Sequence, residues 1–136
     1  MREFIYSYRI PLSDTDATGR ASWKSLFDWA EHGRTEMLRE ALPEIPQSEL
    51  AAADGILTVI KSINCRKLGD VHLDDSIAVE SWVGKIQRFS CIIGQRISSN
   101  GNVIAEFDVK AAFIDRVSKH PVLIPEAFRK ALGGDI

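Results

Sequence analysis

One long helical segment among segments with the pattern of β-strands is the feature that most constrains the fold. Residues 21–42 place their apolar side chains on one stripe of a helix that turns about 100° per residue, and Pro43 ends the segment. The stripe consists of Trp23, Leu26, Phe27, Ala30, Met37, Leu38 and Ala41. One strand-like run precedes this helix and four follow it, so the sequence predicts an α+β fold in which a mostly antiparallel, curved sheet covers a single helix.

The strand-like runs alternate apolar and polar residues, or are continuously apolar, between turn residues. The predicted strands are residues 3–10, 56–63 or 56–65, 76–85, 89–97 and 103–115, the last with alternate residues from Val103 to Phe113 on one face. The dipeptide Asn100-Gly101 predicts a tight hairpin between the last two strands. Residues 125–132 predict a short C-terminal helix with Pro125 in its first turn, and a short helical turn is expected at residues 48–53.

Two residues do not fit the amphipathic pattern of the long helix. Arg34 falls inside the apolar stripe, where an unpaired charge is costly, so we expect it to reach solvent or to meet a carboxylate such as that of Asp14. Trp29 falls on the polar side, which indicates either a partly covered surface indole or a protein contact that favours an assembly larger than a dimer.

Length and composition exclude several classes of protein. The 136 residues are 45% hydrophobic, which fits one domain over residues 1–136. A net charge of -2 gives no sign of a nucleic-acid binder, and the sequence has neither a signal-like N-terminus nor a membrane span, so we expect a cytoplasmic protein without a membrane partner. Cys65 and Cys91 are predicted to be free buried thiols, and the three histidines lack ligand spacing, which predicts no metal site.

The turn Ser13-Asp14-Thr15-Asp16-Ala17-Thr18-Gly19-Arg20 places two carboxylates just before the helix. Gly19 allows a positive φ, and Ser22 is a plausible N-cap that leaves the Trp23 amide uncommitted. The N-terminal amides of a helix can polarise a carbonyl oxygen or hold an anion. A carboxylate close to them could attack that carbonyl or activate water beside it.

These residues make the chain similar to hotdog-fold acyl-CoA thioesterases of the 4-hydroxybenzoyl-CoA thioesterase class, including the YbgC-like branch. The turn matches the family's Asp-x-Asp-x-x-Gly, and weaker matches follow in residues 26–38, 75–80 and 120–126. The resemblance implies that Asp16 is the catalytic nucleophile or general base and that the Trp23 amide binds the thioester oxygen. Coenzyme A would be part of the substrate, and no cofactor is implied.

The resemblance also suggests where coenzyme A binds and how subunits assemble. Gly19, Lys85 and Arg88 are the predicted substrate-binding residues, with Arg116 and Lys119 as further cations for the phosphates. The unpaired edge of the sheet predicts a homo-oligomer, either a dimer or a tetramer.

Several alternatives remain open from the sequence. The substrate could instead be an acyl-carrier-protein thioester, or the protein could bind acyl thioesters without hydrolysing them. Glu31 is a weaker rival to Asp16, because some hotdog thioesterases carry the carboxylate on the central helix. Arg20 and Lys24 stand where many relatives have other residues, and they could approach an acidic acyl group or a phosphate.

Overall fold

A computed structural model describes residues 3–42 and 56–133 of the chain. Its strands are β1 (Glu3–Arg9), β2 (Ile56–Lys67), β3 (Ser76–Ile86), β4 (Ser90–Ser99) and β5 (Asn102–Asp115). The long helix α1 spans Trp23–Ala41, the short helix α2 spans Glu126–Leu132, and one 3-10 turn covers Leu12–Asp14. The predicted α+β layout is thus confirmed. The helical turn expected at residues 48–53 lies outside the described residues.

The five strands form one sheet in the order β1-β3-β4-β5-β2, and every neighbouring pair is antiparallel. β3, β4 and β5 are joined by short turns, whereas β1 and β2 form the two edges. Asn100 and Gly101 both have positive φ, 53° and 79°, as the tight turn predicted between β4 and β5 requires.

Helix α1 begins two residues inside the predicted helical segment 21–42, because Ser22 acts as its N-cap. The Ser22 hydroxyl oxygen accepts a hydrogen bond from the Ser25 amide, as predicted, and the helix therefore begins at Trp23. The buried face is rotated from the predicted stripe: Trp29 is only 1% exposed, whereas the Trp23 side chain is 52% exposed. The placement of Trp29 on the polar side was therefore wrong.

A small polar cluster around Gln95 links helix α1 to the sheet. The Gln95 amide group donates to the Ala30 carbonyl at 2.7 Å and to the Ser81 hydroxyl at 2.9 Å. Its carbonyl oxygen accepts from Arg34 Nη1 at 2.9 Å. The expectation that Arg34 meets a carboxylate was therefore wrong, since a side-chain amide satisfies it instead.

Two smaller expectations are also corrected. Val103 is exposed and Ile104 is buried, because the register between β4 and β5 shifts between Ile97 and Ser98 and moves the strand start to the other face. Pro125 is the N-cap of α2 rather than a residue of its first turn. The two cysteines are free, as predicted, with Cys91 buried and Cys65 partly buried.

The edge strand β2 carries apolar side chains that the helix does not cover. Ile60 and Ile63 pair with Ala111 and Val109, which are buried on the helix side of the sheet. Yet Ile60 is 45% exposed and Ile63 is 36% exposed. Along one edge, β2 thus presents exposed apolar side chains and backbone groups that no strand of the described residues pairs with.

Gly33 is where α1 comes closest to the sheet, which leads to a stability prediction. A Cβ atom on Gly33 would lie 2.5 Å from Val79 Cγ1, well inside van der Waals contact. We expect Gly33→Ala to lower the free energy of unfolding by about 1–2 kcal/mol in urea denaturation, because overpacking outweighs the gain in helix propensity.

The control is Gly69→Ala, whose new Cβ atom would meet Ile104 Cγ2 at an ordinary 3.5 Å. The penalty of Gly33→Ala should shrink when Val79→Ala is also present. Equal penalties with and without Val79→Ala would contradict this account of the contact.

Candidate active site

The acidic turn closes into a loop that stands just ahead of α1. The Asp16 amide donates to the Arg20 carbonyl at 2.8 Å, and the Gly19 amide donates to the Asp16 carbonyl at 3.0 Å. Gly19 has φ of 78°, which is the positive value that the sequence predicted. Thr15 and Ala21 form an isolated bridge at the base of the loop, so its two ends are held together.

The Asp16 side chain is exposed, and its two oxygens have different surroundings. Oδ1 accepts from the Thr18 amide at 2.8 Å, from the Thr18 hydroxyl at 2.5 Å and from the Arg20 amide at 3.3 Å. These hydrogen bonds, led by those from Thr18, lower the pKa of the Asp16 carboxyl below its ordinary value. No donor from the described residues binds Oδ2, so one oxygen of an ionised carboxylate is available.

The N-terminus of α1 keeps free amide groups after capping. Ser22 Oγ occupies the Ser25 amide, and the Ser22 carbonyl accepts from the Leu26 amide at 3.2 Å. Within residues 3–42 and 56–133, no acceptor binds the amides of Trp23 or Lys24. These two donors lie at the positive end of the helix dipole.

The Trp23 side chain stands beside these amides and is flanked by residues of two elements. Its ring lies 6.5 Å from that of Phe27, and Lys67 Nζ lies 5.8 Å from the ring centroid. Lys67 also forms an ion pair with Asp70 at 2.9 Å, so its charge is already compensated. An aromatic surface therefore borders the free amides.

Asp14 ties the loop to the helix, which the sequence analysis did not detect. Its Oδ2 atom accepts from the Tyr8 hydroxyl at 2.6 Å and from Trp29 Nε1 at 2.8 Å. Its backbone carbonyl accepts from the Ser25 hydroxyl at 2.7 Å. The suggested partnership between Asp14 and Arg34 was wrong. The sequence did contain a signal for these contacts: Tyr8 and Trp29, on the two elements that flank the turn, are aromatic residues with hydrogen-bond donors.

The other predicted substrate-binding residues lie elsewhere in the chain. Lys85 is near the end of β3 and Arg88 is in the turn before β4, with its guanidinium 5.4 Å from the Phe89 ring. The loop at Gly19 instead contacts the segment before β3, since the Leu73 amide donates to the Gly19 carbonyl. The part of β3 from Ser76 to Lys85 extends over about 30 Å at about 3.3 Å per residue. One chain alone therefore does not bring Lys85 or Arg88 to Asp16.

A cavity of about 410 Å³ opens on a different part of the sheet. The side chains of Asn64, Trp82 and Asp108 line it on the face opposite the helix, where the Trp82 indole lies over Gly94. Neither Asp16 nor Trp23 lines this cavity. Glu31, the rival carboxylate, is exposed on α1, and its backbone carbonyl accepts from the Thr35 hydroxyl.

The described ranges contain neither a cluster of metal ligands nor a membrane-spanning helix. No three His, Cys, Asp or Glu side chains in residues 3–42 and 56–133 are grouped so that they could hold a metal ion. In that part of the chain, no helix has the length and apolar character that crossing a bilayer requires.

Comparison with known proteins now identifies the family. The family model of the thioesterase-like superfamily matches residues 10–132, which include the acidic loop, α1 and the four strands β2 to β5. The chain belongs to the thioesterase-like superfamily. No curated protein matches the sequence.

Solved structures of superfamily thioesterases have the same fold as this chain. A 1,4-dihydroxy-2-naphthoyl-CoA thioesterase from Synechocystis has a TM-score of 0.89 at 12% identity, covering 98% of this chain and 97% of the other. A variant of 4-hydroxybenzoyl-CoA thioesterase in complex with 4-hydroxybenzoyl-CoA has a TM-score of 0.87 at 17% identity, covering 97% and 99%. A gentisyl-coenzyme A thioesterase has a TM-score of 0.81 at 23% identity, covering 94% and 98%. The predicted hotdog fold is confirmed.

The hydrogen bonds to Asp16 lead to a prediction about its ionisation. We expect the Asp16 carboxyl to titrate below the ordinary aspartate pKa of about 3.9, because Thr18 and Arg20 donate to the ionised form. Thr18→Val removes the hydroxyl donor but keeps the backbone amide, so the midpoint should rise toward the ordinary value. Carboxyl ¹³C NMR on labelled protein measures both midpoints.

Asp115, whose pKa is also lowered by hydrogen bonds from the Ser118 and Val117 amides, serves as the internal reference in the same spectra. Its midpoint should be the same in the wild type and in the Thr18→Val variant, because the substitution leaves those donors in place. A wild-type Asp16 midpoint at or above that ordinary value would contradict the hydrogen-bond pattern described for the loop.

Proposed function

We propose that the protein is a thioester hydrolase that converts an acyl-CoA to the free acid and coenzyme A. The observation that carries the proposal is the combination of an ionised carboxylate, that of Asp16, with a helix N-terminus. Among the described residues, Asp16 Oδ2 has no donor and the amides of Trp23 and Lys24 have no acceptor. Thioester hydrolysis needs these two parts: a base or nucleophile for the carbonyl carbon, and donors for the oxygen that becomes negative.

In the proposed reaction the thioester oxygen accepts a hydrogen bond from the Trp23 amide. The helix dipole then stabilises the negative charge that develops on this oxygen in the tetrahedral intermediate. Collapse of the intermediate breaks the carbon–sulfur bond, and coenzyme A leaves as a thiol after taking up a proton. Coenzyme A is thus part of the substrate, and we propose that the reaction needs no metal or other cofactor.

Two roles of Asp16 fit this scheme. As a general base, Oδ2 takes a proton from water, and the resulting hydroxide attacks the carbonyl carbon. As a nucleophile, Oδ2 attacks directly, expels the thiolate and leaves a mixed anhydride that water hydrolyses. A single turnover in ¹⁸O-water tests the nucleophilic role: label in Asp16 can come only from attack of water on the Asp16 carbonyl of an anhydride, whereas the general-base route labels only the released acid.

The direct test compares the wild type with Asp16→Asn on a panel of aromatic, short-chain and long-chain acyl-CoA thioesters, with thiol release as the readout. We expect Asp16→Asn to lower kcat by at least about 100-fold, because the amide can neither accept the proton nor attack. Asp108→Asn, on the outer face of the sheet, is the matched control and should keep the wild-type rate.

Three outcomes would count against this proposal in different ways. Turnover of a carrier-protein thioester but not of the matching CoA thioester would support the first alternative. Tight binding of acyl-CoA without thiol release would support the non-hydrolytic alternative. An Asp16→Asn variant with full activity would remove Asp16 from the mechanism, and activity lost instead in Glu31→Gln would transfer the role to Glu31.

We also propose that two copies pair along β2, for which the exposed Ile60 and Ile63 are the support. Antiparallel pairing about a two-fold axis would bring the Asp16 end of one copy toward the opposite end of the second copy. That end carries Lys85 and Arg88, which would then be able to bind the phosphates of coenzyme A. Because Trp29 is buried, it no longer favours an assembly larger than a dimer. The cytoplasmic location stays a prediction.

Assembly along β2 can be tested by placing a charge on the edge. We expect Ile63→Asp to convert the oligomer to monomer in size-exclusion chromatography with light scattering, because it places a charge in the buried interface. Ile5→Asp, on the exposed face of the other edge strand, is the control and should leave the mass unchanged. A wild-type monomer, or an Ile63→Asp protein of unchanged mass, would argue against this interface.

A further inference from the structure

The geometry points to Asp14 as the positioning residue of the proposed reaction: through Ser25, Trp29 and Tyr8 it fixes the Asp16 loop against the helix N-terminus. This inference rests on the proposed function, because a positioning role has meaning only if Asp16 and the Trp23 amide act together. The distance between a carboxylate and an oxyanion donor must be kept within a fraction of an ångström for efficient catalysis. An exposed loop does not provide that constraint by itself.

Asp14 is attached to two successive turns of the helix whose N-terminus would hold the substrate oxygen. The Ser25 hydroxyl donates to the Asp14 carbonyl at 2.7 Å, and Trp29 Nε1 donates to Asp14 Oδ2 at 2.8 Å. Residues four apart lie on the same side of a helix, so both hydrogen bonds reach Asp14 from one face. The backbone and the side chain of Asp14 are therefore held by the same rigid element.

Tyr8 adds an attachment to the sheet. Its hydroxyl donates to the same Oδ2 atom at 2.6 Å, and its ring packs edge-on against the Trp29 ring with centroids 6.0 Å apart. Burial and the hydrogen bond to Asp14 raise the pKa of Tyr8, so the hydroxyl keeps its proton over the whole working range. Asp14 thereby joins β1, the loop and α1 at one oxygen atom.

The restraint on Asp14 passes directly to Asp16. Two residues of chain span at most about 7 Å, and Thr15 between them is held by its own hydrogen bonds to the Leu12 carbonyl. The far end of the loop is tied elsewhere, through Gly19 and Ala21 to the segment before β3. At the N-terminal end of the loop, Asp14 is thus the residue that connects the loop to α1.

Asp14 itself is poorly suited to act as the base. Its Oδ2 atom already accepts two short hydrogen bonds, and the side chain is partly buried. Asp16, two residues later, is exposed, and its hydrogen bonds come from Thr18 and Arg20 of the loop itself rather than from the helix and the sheet. The two aspartates therefore have different roles: Asp16 contacts the substrate, and Asp14 holds Asp16 in place.

The test is a set of double-mutant cycles with Asp16→Asn, measured by thiol release from the best acyl-CoA substrate. Trp29→Phe should lower kcat by about tenfold and Asp14→Ala by about 100-fold, with KM changed less than about threefold, because the loop shifts while the substrate surface remains. Asp14→Asn should recover most of the loss, since its amide oxygen can still accept both donors.

The decisive measurement is made in the Asp16→Asn background. If Asp14 acts only through Asp16, then Asp14→Ala and Trp29→Phe should lower the residual rate by less than about twofold there. The inference would be overturned if Asp14→Ala and Trp29→Phe lowered the rate by the same factor with and without Asp16→Asn. It would also be overturned if Asp14→Ala left the wild-type kcat unchanged. If Asp16→Asn loses activity while Asp14→Ala and Trp29→Phe keep the wild-type kcat, only the positioning role of Asp14 is overturned. Full activity of Asp16→Asn would instead overturn the proposed function.

Matched variants separate positioning from general damage. Tyr6→Phe and Trp82→Phe remove the same groups as Tyr8→Phe and Trp29→Phe from side chains that do not donate to Asp14, and both should keep the wild-type kcat. Thermal unfolding of each variant identifies those that are merely unfolded at the assay temperature. If Asp14→Ala does not fold, the Tyr8→Phe/Trp29→Phe double variant replaces it, and a wild-type kcat in that variant would overturn the inference.

Discussion

The packing of α1 onto the sheet at Gly33 is the constraint on which the rest of the structure depends. The absence of a side chain there lets the helix backbone approach Val79, and Gln95 bonds to the Ala30 carbonyl across the same contact. This approach fixes the rotation of α1 about its own axis. The rotation in turn decides that Trp29 points inward toward Asp14, whereas Trp23 remains exposed at the helix N-terminus.

Most of the fold could be predicted because it follows from short-range patterns. The alternation of residues located the strands, the Asn100-Gly101 turn located a hairpin, and Ser22 located the start of the helix. The rotation of α1 could not be predicted from its apolar residues. Its buried face includes Ser25 and Gly33, which an apolar stripe leaves out, because small side chains allow close packing whatever their polarity.

The candidate site was predicted less completely than the fold, and the reason is again physical. Asp16, Gly19 and the Trp23 amide belong to one local segment, and the structure has them in the predicted turn and helix start. The partners of Asp14 lie 6 and 15 residues away in the chain, on β1 and α1. Hydrogen bonds between separate elements depend on packing that no local pattern encodes. The assignment of Asp14 to Arg34 failed for that reason, since charge alone suggested the pair.

The strand order has a consequence for how the chain folds. β3, β4 and β5 are consecutive hairpins, so their pairing closes only short loops. Each edge strand, in contrast, joins a partner far along the sequence: Phe4 of β1 pairs with Ser81, and Leu57 of β2 pairs with Ile114. Closing long loops costs entropy before any contact repays it. We therefore expect the central meander to form early and both edges, with the acidic loop that follows β1, to be added late.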